Sequence, residues 1–321
     1  MPSSSVGPIF SNIGPPCVLG LLGSRPRITT VFATGSTKVG DVPTLRFVVV
    51  DVFTDRALAG NQLAVFTDAR ELDAGTMQAL AREIGFSETT FVLPAEDGGT
   101  ARMRIFTPAA ELPFAGHPTL GTAWVLGAPL QRAVIELETG MGIVPVELER
   151  DESGALRFGR MVQPVPSVQP YPEPDALLAA LGVTESELPI ERYDNGPLFT
   201  FVTLGSRDAV AGLEPDYNAL TALEVNVSCI AGSETFWKTR MFAPALGVPE
   251  DPATGAAAGP LACHVCRHGL IPWGTEIEIS QGEEIRRPST LYARAEGSEV
   301  GIERVEVGGR AVVVARGEFR L

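Results

Sequence analysis

A short pattern that occurs twice constrains this chain more than any other feature. Arg104-Ile-Phe-Thr-Pro-Ala109 returns as Arg240-Met-Phe-Ala-Pro-Ala245, and about a dozen residues further on His117-Pro-Thr-Leu-Gly-Thr-Ala123 returns as Asp251-Pro-Ala-Thr-Gly-Ala-Ala257. The offsets, from 104 to 240 and from 117 to 251, are 136 and 134 residues. Each match alone is weak, but a near-constant offset over two matches is hard to obtain by chance. It implies an α+β fold of two pseudo-symmetric lobes, each a mixed β-sheet or barrel wrapped around a central helix. The lobes are placed at 44–160 and 161–310, with a last strand near 311–321 able to return to the first.

The length of 321 residues fits two such units at ~150 residues each. A composition 45% hydrophobic and 20% charged supplies apolar material for two cores. The formal net charge is −14, and no cluster of Lys or Arg offsets it, so nucleic acid and anionic membranes are excluded as expected partners. Four cysteines (Cys17, Cys229, Cys263, Cys266) are too few and too uneven for a disulfide framework, which points to reduced thiols in the cytoplasm. The early apolar run Cys17 to Leu22 is shorter than the ~20 residues a spanning helix needs, and no basic residue precedes it. Residues 1–43, rich in Ser, Gly, Pro and Thr without periodicity, read as a flexible tail or as a mis-assigned start.

From Leu45 the pattern becomes globular. Arg46 to Phe53 reads as a buried strand, Gly60-Asn61 as a turn and Leu63 to Phe66 as the returning strand. Asp73 caps a helix with Met77, Leu80 and Ile84 on one face, and Gly85 ends it. Thr89 to Leu93 and Arg102 to Phe106 are further strands. The repeated segments should open two helices, one from His117 to about Leu126 and one from Asp251 to about His268. In each, proline would occupy the first helical position, which needs no N–H. Pro260 should kink the second helix.

Helix starts carry unpaired N–H groups and the positive end of the dipole, so two that converge could hold a carboxylate without Lys or Arg. The small residues Gly116, Gly255 and Ala256 would allow close approach to the backbone. Packing alone does not explain an ionisable residue before each proline. His117 and Asp251 are therefore read as equivalent positions facing across a cleft. The plainer alternatives are an N-cap for Asp251 and a satisfied buried histidine for His117. Glu88, in Phe86-Ser-Glu-Thr-Thr-Phe91, would gain a raised pKa useful for acid–base work if buried by the cleft; otherwise it is an exposed strand-edge glutamate. A two-thiol epimerase is excluded, because the paired positions hold His117 and Asp251 in place of cysteines. Cys263-His264-x-Cys266-x-His268 matches no standard zinc spacing, so no metal is expected. There is no glycine-rich nucleotide loop in a strand–turn–helix context.

Several longer motifs run in a familiar order: Asp51-Val-Phe-Thr54, Ala59-Gly-Asn61, Ser87-Glu-Thr-Thr-Phe91, Arg104-Ile-Phe-Thr-Pro108, Ala115-Gly-His-Pro-Thr-Leu-Gly121, Glu250-Asp-Pro-Ala-Thr-Gly255, Gln281-Gly282 and Arg287-Pro-Ser289. In this order, from about Leu45 to the C-terminus, the chain resembles the phenazine-biosynthesis PhzF-like isomerases. That family is cofactor-free, homodimeric and similar in fold to diaminopimelate epimerase. The resemblance implies that Glu88 shuttles a proton on a small carboxylate, as the matching glutamate does on a dihydro-hydroxyanthranilate. It implies that His117 and Asp251 position substrate and assist proton traffic, and that Gly116, Gly255, Ala256 and Asn61 bind substrate. The family often has serine where this chain has Ala256, so the N–H is kept and a hydroxyl is lost. The alternative reading is a non-catalytic small-molecule binder or sensor on the same scaffold.

Overall fold

Strands dominate residues 44–298 and 300–321, which the computed structural model describes; the expected tail lies outside them. The first half runs β1 (Thr44–Val52), β2 (Asn61–Phe66), α1 (Ala74–Ile84), β3 (Glu88–Leu93), β4 (Ala101–Phe106), β5 (Glu111–Leu112), α2 (Gly116–Leu130), β6 (Val134–Thr139), β7 (Gly142–Arg150) and β8 (Leu156–Gln163). The second runs β9 (Ser167–Pro170), α3 (Pro174–Leu181), β10 (Glu191–Asp194), β11 (Leu198–Thr203), α4 (Arg207–Ala211), α5 (Tyr217–Ala222), β12 (Val227–Ser233) and β13 (Phe236–Ala243). A 3-10 turn, Pro244–Leu246, leads to β14 (Val248–Asp251), α6 (Gly255–Arg267), β15 (Glu276–Gln281), β16 (Ser289–Ser298), β17 (Gly301–Gly309) and β18 (Ala311–Arg320).

The two halves share one pairing scheme. β1/β2 is antiparallel, β2/β3 parallel, β3/β4 antiparallel, β4/β6 parallel and β6/β7/β8 antiparallel. β10/β11, β11/β12, β12/β13, β13/β15 and β15/β16/β17 repeat that order. Each parallel pair needs a crossover, and α2 and α6 supply the central ones. Each half is completed by a strand that follows the other: β9 follows β8 and joins β10, and β18 follows β17 and joins β1. The β8/β17 pair links the halves.

Local chemistry explains the elements. Asp73 Oδ1 accepts the Thr76 N–H at 2.7 Å, and Gly85 ends α1 at φ 71°, a left-handed turn that glycine enters freely. α2 buries Leu120, Ala123, Trp124 and Val125 around its circumference, as a helix enclosed by strands must. It packs on β1, β2, β3, β6, β7, β8 and β18, while α6 packs on β11, β15, β16 and β17.

The repeated arginines serve this frame. Arg104 makes a two-pronged ion pair with Glu111 (2.6 and 2.6 Å) and lies over the Phe106 ring. Arg240 does the same with Glu250 (2.9 and 2.8 Å) over Phe242. The glutamate comes seven residues after the arginine in the first half and ten after it in the second. The Pro244–Leu246 turn accommodates the difference.

That insertion corrects the register read from sequence. Glu111-Leu-Pro-Phe-Ala-Gly116 is the counterpart of Glu250-Asp-Pro-Ala-Thr-Gly255, so His117 is matched by Ala256, and Asp251 by Leu112. α2 begins one residue before His117 and continues through Pro129 to Leu130. α6 begins four residues after Asp251, which ends β14, and Pro252 lies outside the helix. Two helix starts exist, but the two ionisable groups do not occupy equivalent places on them.

Candidate active site

The starts of α2 and α6 abut. A Cβ on Gly116 would overlap the backbone nitrogen of Ala256 and come within 2.5 Å of the Gly255 carbonyl carbon. A Cβ on Gly255 would lie 2.8 Å from the Phe53 ring and 3.1 Å from the His117 nitrogen. The space these glycines leave is thus filled by the opposite helix and by Phe53. Gly116, His117, Gly255 and Ala256 are the first two residues of their helices, so their N–H groups have no intrahelical acceptor.

Side chains from distant strands hold the loop before α6. Gln281 accepts the Thr254 N–H (3.0 Å) and donates to the Asp251 carbonyl (2.8 Å) and the Thr254 hydroxyl (3.0 Å). Ser289 donates to the Pro252 carbonyl at 2.8 Å. With its backbone satisfied this way, the chain does not need to enter the helix at Pro252.

Beside the abutting starts lies a cavity of about 90 Å³. Glu88, His117, Asp251, Gly116, Gly255 and Ala256 all line it. Glu88 enters from the first residue of β3, His117 from the first turn of α2 and Asp251 from the end of β14. Burial raises Glu88 well above the usual carboxylate range, and the nearby Asp251 carboxylate adds to the rise. Burial raises Asp251 less far, against hydrogen bonds from Thr254 (Oγ1 to Oδ2, 2.6 Å) and Asn61 (Nδ2 to Oδ1, 2.9 Å). His117 is pushed down to about 3 by burial, opposed by a hydrogen bond to the Gln62 backbone. It is therefore neutral, and its Nε2 faces Glu88 Oε2 at 3.4 Å. Neither of these two buried atoms has a protein hydrogen-bond partner. A carboxylic acid on Glu88 and a lone pair on His117 Nε2 suit each other at this place.

Asn61 is placed differently from the sequence expectation. It is 1% exposed and does not line this cavity. Its two Nδ2 hydrogens go to Asp251 Oδ1 (2.9 Å) and the Ala253 carbonyl (2.9 Å), its Oδ1 accepts from Ser87 (3.2 Å), and the His117 ring, whose N–H bonds the Gln62 backbone, lies against it (Nδ1, 3.2 Å). Asn61 backs Asp251, His117 and Ser87, the residue next to Glu88, from behind the cavity. Sequence reasoning missed the apolar wall: Phe114, Phe199, Met241, Leu246 and Val248, with the polar Asn226 and Thr254. In sequence most of these are strand or loop residues with no distinguishing signal; Met241 and Thr254 lay inside motifs, but nothing marked them as cavity wall.

Among the described residues, Glu191, His264 and His268 are the group whose donor atoms lie close enough for a metal, within 4.8 Å of one another. The arrangement does not suit one. Glu191 Oε2 already receives Arg267 (2.8 Å), Tyr193 (3.0 Å) and His268 (3.0 Å), so a guanidinium stands where a cation would. Cys263 and Cys266 are buried and their thiols are pushed up by burial, which makes them poor nucleophiles. Among the described residues, no helix is long and apolar enough to cross a membrane.

Comparison with known proteins decides the family. Residues 50–317 match the family model described as phenazine biosynthesis-like protein (PhzC-PhzF). The chain belongs to this family. It is 50% identical over 277 residues to the trans-2,3-dihydro-3-hydroxyanthranilate isomerase of Pseudomonas aeruginosa, covering 86% of this chain and 99% of that one. A crystal structure of a PhzF-family protein from Bacillus anthracis superposes with a TM-score of 0.77 at 25% identity, over 87% of this chain and 100% of that chain. A hydroxyproline epimerase from Agrobacterium vitis shares the fold at 11% identity, with a TM-score of 0.59 over 86% of this chain and 91% of its own. The chain is an isomerase of the PhzF type on the α+β, epimerase-like scaffold expected from its sequence.

Proposed function

We propose that this isomerase works without a cofactor and moves a proton on a small cyclic carboxylate, of the kind named for its Pseudomonas relatives. The observation that carries the reading is the pair Glu88 and His117. A largely buried carboxyl group with a raised pKa faces the bare ring nitrogen of a neutral histidine, in a cavity whose floor is two helix starts. The substrate carboxylate would sit on the N–H groups of Gly116, His117, Gly255 and Ala256, where the dipoles of both helices favour negative charge. Glu88 as carboxylate takes a proton from one ring carbon and as acid returns it to another, so the formula is unchanged and only double bonds move. A raised pKa brings both forms within reach near neutral pH. His117 and Asp251 hold Glu88 in its protonation state and orient the polar substituents of the ring.

A different small carboxylate as substrate is the second reading, because Ala256 offers no hydroxyl to the cavity. Turnover in D2O separates the two. With trans-2,3-dihydro-3-hydroxyanthranilate, we expect product carrying deuterium at a ring carbon, seen by proton NMR. Binding of that compound with neither turnover nor exchange would favour another substrate.

A further inference from the structure

We infer that Asn195 is a positioning residue for carboxylate binding, acting through the Ala256 peptide and made necessary by Pro260. The inference rests on the proposed role of the two helix starts. Pro260 lies inside α6 and has no N–H, so the Ala256 carbonyl, four residues earlier, loses its intrahelical donor. A buried carbonyl left unpaired is unfavourable. Asn195 Nδ2 takes the missing place, donating to the Ala256 oxygen at 2.9 Å. The residue is only 2% exposed, so water does not readily substitute for its amide.

The location of Asn195 gives this bond a consequence at the site. It sits in the 195–197 connection between β10 and β11, where Gly196 turns the chain at φ 114°. The same stretch sends Pro197 and Phe199 to the cavity wall. One amide therefore fastens the wall to the first turn of α6. On the preceding carbonyl, Gln163 Nε2 donates to Gly255 at 2.8 Å. The two side chains grip the peptide planes on either side of Ala256. The Gly255 carbonyl shares its plane with the Ala256 N–H, which faces the opposite way towards the cavity floor. The Ala256 carbonyl shares its plane with the Ala257 N–H, which bonds the Thr254 carbonyl at 2.9 Å. A helix without the proline would supply its own N–H to Ala256, and Asn195 would be redundant.

A double-mutant cycle tests this in the full-length protein. For Asn195→Ala we expect KM for trans-2,3-dihydro-3-hydroxyanthranilate to rise about tenfold while kcat changes less than threefold, because the N–H contacts serve bound substrate and transition state alike. Asn195→Asp, which keeps the shape and removes the donor, should behave the same way. In the Pro260→Ala background the Asn195→Ala effect on KM should fall below twofold. Amide hydrogen exchange without ligand gives a second readout: Asn195→Ala should speed exchange at Ala257 and Ala258, and Pro260→Ala should restore protection. An unchanged KM, or equal effects with and without Pro260, would overturn the inference. If the wild type neither binds nor turns over the carboxylate, the proposed function fails. Hydrogen exchange then still decides the Asn195–Ala256 coupling by itself, and unchanged exchange in Asn195→Ala and Asn195→Asp would overturn that too.

Discussion

Glu88 illustrates how a single side chain can be set for chemistry at the expense of stability. Its carboxyl is favoured in the neutral form by burial and by Asp251. A carboxyl raised from its ordinary 4.5 binds protons more tightly folded than unfolded. Its stabilising contribution is whole below 4.5 and is lost as pH rises towards the folded-state value. We therefore expect Glu88→Gln and wild type to unfold at similar temperatures near pH 4. Above it the variant should gain, by about 1.4 kcal/mol for each unit of the shift. Denaturant unfolding across pH 4–9 measures this, and parallel profiles would mean that the carboxyl is not buried as described. The same shift should move the rising limb of kcat/KM above the usual carboxylate range, since the fraction of Glu88 able to accept a proton grows through its raised pKa. Glu88, His117 and Asp251 were legible in the sequence as ionisable residues inside long motifs. Asn61 was legible as part of the site but not in its role, because a side chain's hydrogen-bond partners are set by packing.

At the scale of elements, the close contact of α2 and α6 depends on glycine at both starts. Gly116→Ala would force its methyl into the Ala256 peptide, with no flexible side chain to yield. We expect a loss of roughly 1–3 kcal/mol in unfolding free energy, as for overpacked cores, together with weaker carboxylate binding. Asp73→Ala, which removes the α1 cap far from the site, should cost about 1 kcal/mol and leave KM unchanged. Calorimetry on both variants separates the two effects. The strands and α1 were readable from alternation and capping. The start of α6 was not, because Pro252 after an acidic residue looks like a first helical position. Gln281 and Ser289, about thirty residues or more downstream, satisfy the backbone at 251–254 and let it remain a loop. Likewise, the repeat was visible while its register was not, since the Pro244–Leu246 turn begins in the last residues of the first match and shifts everything after it.

Across the whole molecule, the site exists because segments far apart in the chain are tied together beneath it. β1 pairs with β18 along its full length, and Arg287 donates to the carbonyls of Ala59 (2.8 Å) and Gly60 (2.9 Å) and to Asp51 Oδ1 (2.7 Å). Phe53, held at φ 63° between bonds to Arg310 and Thr290, presses its ring on Gly255. A bulky residue keeps that conformation only when its surroundings impose it. Arg287→Ala would leave Asp51, 1% exposed, without its charge partner. Breaking such a pair from one side costs roughly 3–5 kcal/mol. We expect a large drop in unfolding temperature and, through Gly60 and Asn61, reduced turnover in whatever protein remains folded. These ties are invisible in composition or periodicity, because they join residues more than two hundred positions apart.

The most direct test of the proton-shuttle account is Glu88→Gln, assayed for binding by calorimetry and for turnover of trans-2,3-dihydro-3-hydroxyanthranilate in one preparation. The expected result is binding within about tenfold of wild type and a kcat lower by roughly a thousandfold or more, the scale of losing a positioned acid–base group. Turnover of the folded variant at the wild-type rate would contradict the account.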